Sequence, residues 1–145
     1  MAQEAGSAID LEITESVIMD DVGSIIPKLQ TLHSVGTRIY VDDFGTGYSS
    51  LAYIAKLPID ALKIDRSFVA DMQPDSEGLA IVKSIISLTK ATRLQVIAEG
   101  VETEDQVELL RELGCDELQG YHLGRPLPPD EALQVIRDLG ETGSA

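Results

Sequence analysis

The residues best suited to chemistry begin with one stretch. Val41-Asp42-Asp43-Phe44-Gly45-Thr46-Gly47 ends an apolar run in two adjacent carboxylates and a loop with two glycines. Neighbouring residues of a regular strand point to opposite faces, so both aspartates reach one site only where the backbone bends. Gly45 and Gly47 permit such a bend. The same letters also suit an ordinary turn; repetition along the chain favours chemistry, because Glu12, Lys63, Asp65, Glu99 and Gln119 stand in comparable segments. Glu12, Asp42 and Asp43 offer hard oxygen ligands, suited to Mg²⁺ or Mn²⁺ and not to thiol-seeking metals. Two such ions about 3.5–4 Å apart can activate water and stabilise the leaving oxygen of a phosphodiester. Lys63 has two readings, as the holder of the attacking water or a phosphoryl oxygen, or as the partner of Asp65 or another acid in a structural ion pair. Glu99 can serve a second metal or its bridging water.

Five β-rich segments are predicted at 9–14, 38–44, 61–65, 94–99 and 117–121, and they alternate with amphipathic segments as in successive βα units on a parallel sheet. Ile25, Ile26, Leu29 and Leu32 space as a buried helix face, with Gly36 in a stop position. Thr103 and Gln106 have capping-box spacing ahead of Val107, Leu110 and Leu113, and Gly114 closes that helix. Val82, Ile85, Ile86 and Thr89 mark another helix, and Ala132, Leu133, Ile136 and Leu139 the last. A short helix is expected within 49–57, ended by Pro58. Alternation puts Asp10, Glu12 and Thr14 opposite Leu11 and Ile13, Tyr40 and Asp42 opposite Val41, and Lys63 and Asp65 opposite Leu62 and Ile64. Glu99 likewise opposes Ala98, and Gln119 with Tyr121 opposes Leu118. Polar groups then converge near the carboxyl ends of the strands, the active-site end of a β/α barrel. Segments 1–8 and 140–145 read as loose, with 9–139 as the folded domain.

A net charge of −14 argues against binding nucleic-acid polymers or an anionic membrane, and leaves divalent cations as the natural small partners. No apolar run reaches the ~18 residues that span a bilayer, and 1–8 lacks a basic start with a hydrophobic core; a cytoplasmic protein is expected. The single cysteine, Cys115, excludes an internal disulfide and reads as structural. His33 and His122 lack zinc spacing; both read as surface groups, His122 lying closer to the proposed rim.

Four ordered motifs carry a resemblance. Leu11-Glu12-Ile13-Thr14-Glu15-Ser16, then Asp42 through Leu51, then Leu62-Lys63-Ile64-Asp65-Arg66-Ser67-Phe68-Val69, then Val96-Ile97-Ala98-Glu99-Gly100-Val101-Glu102-Thr103 resemble the EAL-domain family, as do Gln119-Gly120-Tyr121 and Arg125-Pro126-Leu127-Pro128. The resemblance implies a partial (β/α)8 TIM-like barrel of about five consecutive βα units, from a family that hydrolyses cyclic di-GMP to linear pGpG with Mg²⁺ or Mn²⁺. It implies Glu12 and Asp42 as metal ligands, Asp42 reaching towards a second ion whose site Asp43 completes. It gives Lys63 the nucleophilic water, Asp65 and Glu99 the support of the second metal, and Gln119 the orientation of that network. Glu102 would tie down the loop from Phe44 to Ser50. Tyr48 and Tyr121 can stack on guanine or pack against a loop, and Arg66 and Arg125 can reach phosphate, ion pairs being expected for both in so acidic a chain.

The Glu-Ala-Leu signature is absent, as is the segment that supplies an Asn ligand, and Glu4-Ala5-Gly6 stands too close to Glu12 to replace it. About three βα units of an eight-stranded barrel are then missing. Two open edges follow, and with them self-association or a partner that completes the barrel, such as an upstream half. A fragment of a longer chain and a native truncated module both fit. Three functions compete: the carboxyl-terminal part of a cyclic di-GMP phosphodiesterase, impaired on its own; a noncatalytic cyclic di-GMP-binding or regulatory module; and, remotely, another metal-dependent barrel enzyme.

Overall fold

The strands lie in chain order. In the computed structural model, which describes residues 10–47 and 51–142, β1 (Leu11–Thr14), β2 (Ile39–Phe44), β3 (Ala61–Ile64), β4 (Gln95–Glu99) and β5 (Glu117–Gln119) form one parallel sheet in the order β1-β2-β3-β4-β5. Helices fill the connections: α1 (Glu15–Asp20), α2 (Val22–Ser34), α3 (Leu51–Ile54), α4 (Arg66–Ala70), α5 (Glu77–Thr92) and α6 (Glu104–Leu113), with α7 (Pro129–Thr142) after β5. Each parallel strand needs such a crossover, and serial addition on one side is how a β/α barrel is laid down. Among the described residues no helix is long and apolar enough to cross a membrane.

Two aspartates set the strand starts in register. Asp60, just before β3, accepts the Ile39 amide on Oδ2 at 2.8 Å, and Asp116, just before β5, accepts the Val96 amide on Oδ2 at 2.8 Å. Each carboxylate thereby satisfies a backbone donor of the neighbouring strand that would otherwise be left unpaired. Above them the apolar alternation holds. Ile39, Val41, Leu62, Ile64, Val96 and Ala98 are buried with Leu29 of α2, Val82, Ile85 and Ile86 of α5, and Val107 and Leu110 of α6. All four residues of β3 are buried, as expected where a parallel strand is covered on both faces.

The long helices end as their sequences dictate. The capping box of Thr103 and Gln106 forms, and Gly114 closes α6 at φ 81°. Val35 is the C-cap of α2, and Gly36 follows it at φ 92°, donating its amide to His33 O at 3.0 Å. Leu32 departs from the predicted buried face and is 39% exposed in the last turn of α2. Helices α1 and α4 were not predicted, since six and five residues are too few to display a helical period. The predicted helix at 49–57 is reduced to α3, and its residues 49 and 50 lie outside the described residues.

β1, β2 and β4 end where predicted, while β3 and β5 stop short at their carboxyl ends. Asp65 leaves β3 to become the N-cap of α4, and β5 stops at Gln119, short of Tyr121. The segment expected to be loose from 140 onward is helical to Thr142; 1–8 lies outside the described residues. The last helix forms, but its apolar residues find little to cover them: Leu133 is 51% exposed and Ile136 64%. β5 is an edge, and among the described residues no strand lies beyond it to build the floor on which α7 would pack.

Cys115 sits between α6 and β5 with its thiol directed at the Glu117 and Val96 carbonyls, and burial pushes it up to about 11. At pH 8 its thiolate is then about a hundredfold scarcer than that of an ordinary cysteine. Thiol titration should proceed about a hundredfold more slowly in the native chain than in urea; equal rates would contradict this packing.

Candidate active site

The bend that brings both aspartates to one place occurs at Asp43 itself. Val41 pairs with Leu62, but Phe44 pairs with Ile64, so β2 advances three residues while β3 advances two. This bulge carries Asp43 at φ 53°, a left-handed conformation that Asp tolerates better than most residues. Asp42 Oδ1 accepts the Asp43 amide at 2.8 Å, satisfying a donor at the bulge. The glycines therefore come after the bend, with Gly45 at φ 99°.

Lys63 is the central cation. It lies on β3, 3% exposed, with Nζ at 2.5 Å from Glu99 Oε1, 2.9 Å from Glu12 Oε1 and 3.9 Å from Asp42 Oδ1. The acids come from three other elements of one sheet: β1, β2 and β4. The expected alternative partner, Asp65, is engaged elsewhere, since it accepts the Ser67 amide at 2.8 Å and the Ser67 hydroxyl at the start of α4. Burial opposes the Lys63 charge, yet the hydrogen bonds with Glu99 and Glu12 hold its pKa above the ordinary lysine range.

Asp42, Asp43 and Glu99 bring one carboxylate oxygen each within 4.8 Å of one another. Burial, followed by the charges of Asp42 and Asp65, raises the Asp43 carboxyl above its usual range. Burial also raises Glu99, against the pull of Lys63. Asp65 is held low despite its burial, by the Ser67 hydroxyl and amide and by a hydrogen bond with Asp43. Crowded hard oxygens of one charge fit a divalent cation such as Mg²⁺ or Mn²⁺. Glu12 stands outside the group of three, held by Lys63 and half exposed. Gln119 pairs with Glu99 in the ladder between β4 and β5 and borders a cleft with it.

The loop after β2 has an anchor that the sequence reading missed. Glu15, 2% exposed at the start of α1, accepts the Gly45 amide on Oε2 at 2.9 Å and the Gly47 amide at 3.4 Å. Glu102, to which the resemblance assigns this loop, lies between β4 and α6, exposed, beside the cleft. The Gly45 and Gly47 amides are thus held from α1, next to β2; residues 48–50 of the same loop lie outside the described residues. Recognition of α1 was the missing signal, for it is α1 that turns Glu15 inward. His122 and His33 both lie off the carboxylate group, His122 against Glu104 at 2.8 Å and His33 against Asp60 at 3.4 Å.

A parallel α/β sheet in barrel order, with acids and one buried lysine gathered where its strands end, defines part of a TIM-barrel-type α/β domain. The family model described as EAL domain matches residues 1–126, and the chain belongs to that family. It is similar to the bifunctional diguanylate cyclase/cyclic di-GMP phosphodiesterase MucR of Pseudomonas aeruginosa, 48% identical over 130 residues, which are 90% of this chain and 19% of MucR. A solved structure of the PaMucR phosphodiesterase in a c-di-GMP complex superimposes with a TM-score of 0.85 at 47% identity, covering 88% of this chain and 51% of that one. A manganese/cy-diGMP complex of Klebsiella pneumoniae BlrP1 superimposes with a TM-score of 0.76 at 30% identity, covering 83% of this chain and 31% of BlrP1. The chain thus spans about half of the MucR phosphodiesterase structure and a fifth of full-length MucR.

Proposed function

We propose that the chain is the carboxyl-terminal part of a cyclic di-GMP phosphodiesterase domain and carries most of its metal-binding carboxylates. The observation that carries this reading is the convergence of Asp42, Asp43 and Glu99 beside the buried ammonium of Lys63. The ligands named for the MucR and BlrP1 structures support it. Asp42, Asp43 and Glu99 would hold Mg²⁺ or Mn²⁺, with Glu12 contributing once drawn from Lys63. Bound there, the ions would offset phosphate charge and make water more acidic.

The protein groups have separable tasks. Lys63 keeps its proton and steadies the attacking water or a phosphoryl oxygen. Asp65, fixed by the α4 cap, adds its negative charge beside Asp43 to the metal-binding group. Gln119 offers an amide beside Glu99, and Glu102 lines the neighbouring cleft. Water adds its oxygen to one phosphorus, the ester bond to the neighbouring ribose oxygen breaks, and that oxygen takes the proton; linear pGpG results. A lone cysteine with no disulfide partner suits a cytoplasmic setting.

A second reading, a nucleotide-binding module without turnover, draws on the sheet itself: among the described residues β1 and β5 each pair on one side only. Self-association, or a further barrel half, would cover those edges. Chromatography of cyclic di-GMP incubated with the chain and Mn²⁺, over a range of protein concentrations, tests both. Chelator-sensitive formation of pGpG is expected, rising more than linearly with protein if assembly completes the site. Binding without pGpG would leave the second reading; neither binding nor pGpG would sink both.

A further inference from the structure

A polar network lies outside the carboxylate group, at the amino-terminal end of the same sheet. Arg38 donates to Asp10 from Nε at 3.1 Å and from Nη2 at 2.9 Å, and the Tyr40 hydroxyl donates to Asp10 Oδ2 at 3.1 Å. The Arg38 guanidinium also stands 5.9 Å from the Tyr40 ring centroid, within the ~6 Å reach of a cation–π contact. Two-pronged arginine–carboxylate bonds are directional, so Asp10 is a fixed post to which the hydroxyl ties the ring.

Strand register fixes what that ring lies beneath. Tyr40 is the partner of Glu12 on one side and of Ala61 on the other. Its bond to Asp10, two residues before Glu12, puts it on the face that carries Glu12, since residues two apart on a strand share a face. Lys63 belongs to β3 and Glu12 to β1, yet Lys63 Nζ stands 2.9 Å from Glu12 Oε1. With β2 between them, this ion pair crosses two strand spacings of about 4.8 Å each. It crosses on the inner face of β2, over Tyr40 and Asp42. Asp42, with Oδ1 3.9 Å from Nζ, takes the carboxyl side of the crossing. Tyr40 takes the amino side. Ala61, fully buried, leaves room for the ring on its other flank, a large residue beside a small one as in the layers of small barrels.

The burial of Lys63 calls for such a cover. Glu12 is half exposed, whereas Lys63 is 3% exposed. The carboxylates answer for its charge; its four-carbon stem needs an apolar neighbour.

Resting on the phosphodiesterase reading, we infer that Tyr40 is a positioning residue: its ring, tied to Asp10, is the floor under the Lys63–Glu12 pair, and it shuts water out from below and fixes where the ammonium stands. Without the floor, water enters the polar gap, and attraction that is strong at low dielectric weakens. Lys63 then wanders among its acids. Substrate contacts change little, because Tyr40 lies on the amino side of the acids, away from the strand ends where substrate would enter.

Acetylation of lysines by N-hydroxysuccinimidyl acetate, read by mass spectrometry on the full chain, tests the floor without reference to turnover. Exposed Lys28 and Lys56 serve as references, and the Cys115 thiol, sheltered between α6 and β5, reports whether the fold has opened. Tyr40→Val keeps a strand former and removes the ring. Lys63 should then be acetylated about tenfold faster, through local opening, with Cys115 as protected as in the wild type. Tyr40→Phe, which keeps the ring and loses only its tether, should restore most of the protection. Where the chain forms pGpG, kcat of Tyr40→Val should fall about tenfold or more with KM little changed, the loss expected of a reacting group held slightly out of place. Equal protection of Lys63 in the wild type and Tyr40→Val would overturn the floor, as would equal losses in Tyr40→Val and Tyr40→Phe. Faster acetylation with unchanged kcat would overturn the positioning role. If Tyr40→Val also bares Cys115, Tyr40→Leu takes its place under the same criteria. Protection of Lys63 that follows the ring, in a chain that forms no pGpG, would sink the phosphodiesterase reading and leave Tyr40 as the cover of Lys63.

Discussion

Asp42→Asn is expected to reduce cyclic di-GMP hydrolysis by about 10³-fold, more than the 10–100-fold that losing a supporting group costs a metal site. The substitution removes a charge and little else. Asparagine keeps the side-chain oxygen that accepts the Asp43 amide at 2.8 Å, so the bulge that positions both residues should survive. What is lost is one of three carboxylates whose oxygens lie within 4.8 Å of one another, and with it much of the attraction for a divalent ion. Initial rates, together with Mn²⁺ affinity from electron paramagnetic resonance, check this. A variant that binds Mn²⁺ as the wild type does would remove Asp42 from the metal site.

Lys63→Met should combine a hydrolysis loss of about 10²-fold or more with a stability loss of about 2–4 kcal/mol, the lower part of that range being favoured because Glu12 is half exposed and can turn to water. Methionine fills a similar volume, but Glu99 and Asp42 lose the ammonium that offsets their charges. The sign of the pH dependence is defined. A lysine whose folded pKa is raised contributes stability that is fully present below its unfolded value, about 10.4, and lost as pH rises through the folded one. Between pH 6 and 9 the Lys63 contribution to the gap between wild type and variant should therefore be constant. Urea unfolding followed by far-UV circular dichroism measures it; equal stabilities would mean that Lys63 carries no net stabilising charge.

Local patterns made much of this architecture legible. Five strands were visible because apolar residues alternate with Glu12, Asp42, Lys63, Glu99 and Gln119, and a period of two survives whatever surrounds it. The capping box at Thr103 and Gln106 and the stops at Gly36 and Gly114 were equally visible, since the partners lie within a few residues of one another. Helices α1 and α4 were hidden by their brevity, and Glu15 and the capping role of Asp65 were hidden with them.

The sequence by itself determined the class of fold, the strand order expected of serial βα units, and the acids and lysine from which the site is built. Only the tertiary structure decided that the bend falls at Asp43, that Lys63 faces Glu12 and Glu99 and not Asp65, and that neither Arg66 nor Arg125 forms a salt bridge among the described residues. It also decided that the apolar side chains of α7 remain uncovered beside an edge strand. The division has a physical cause. Periodicity and capping act over a few bonds and can be read along the chain, whereas ion pairing, close approach and burial depend on which distant segments the sheet brings together.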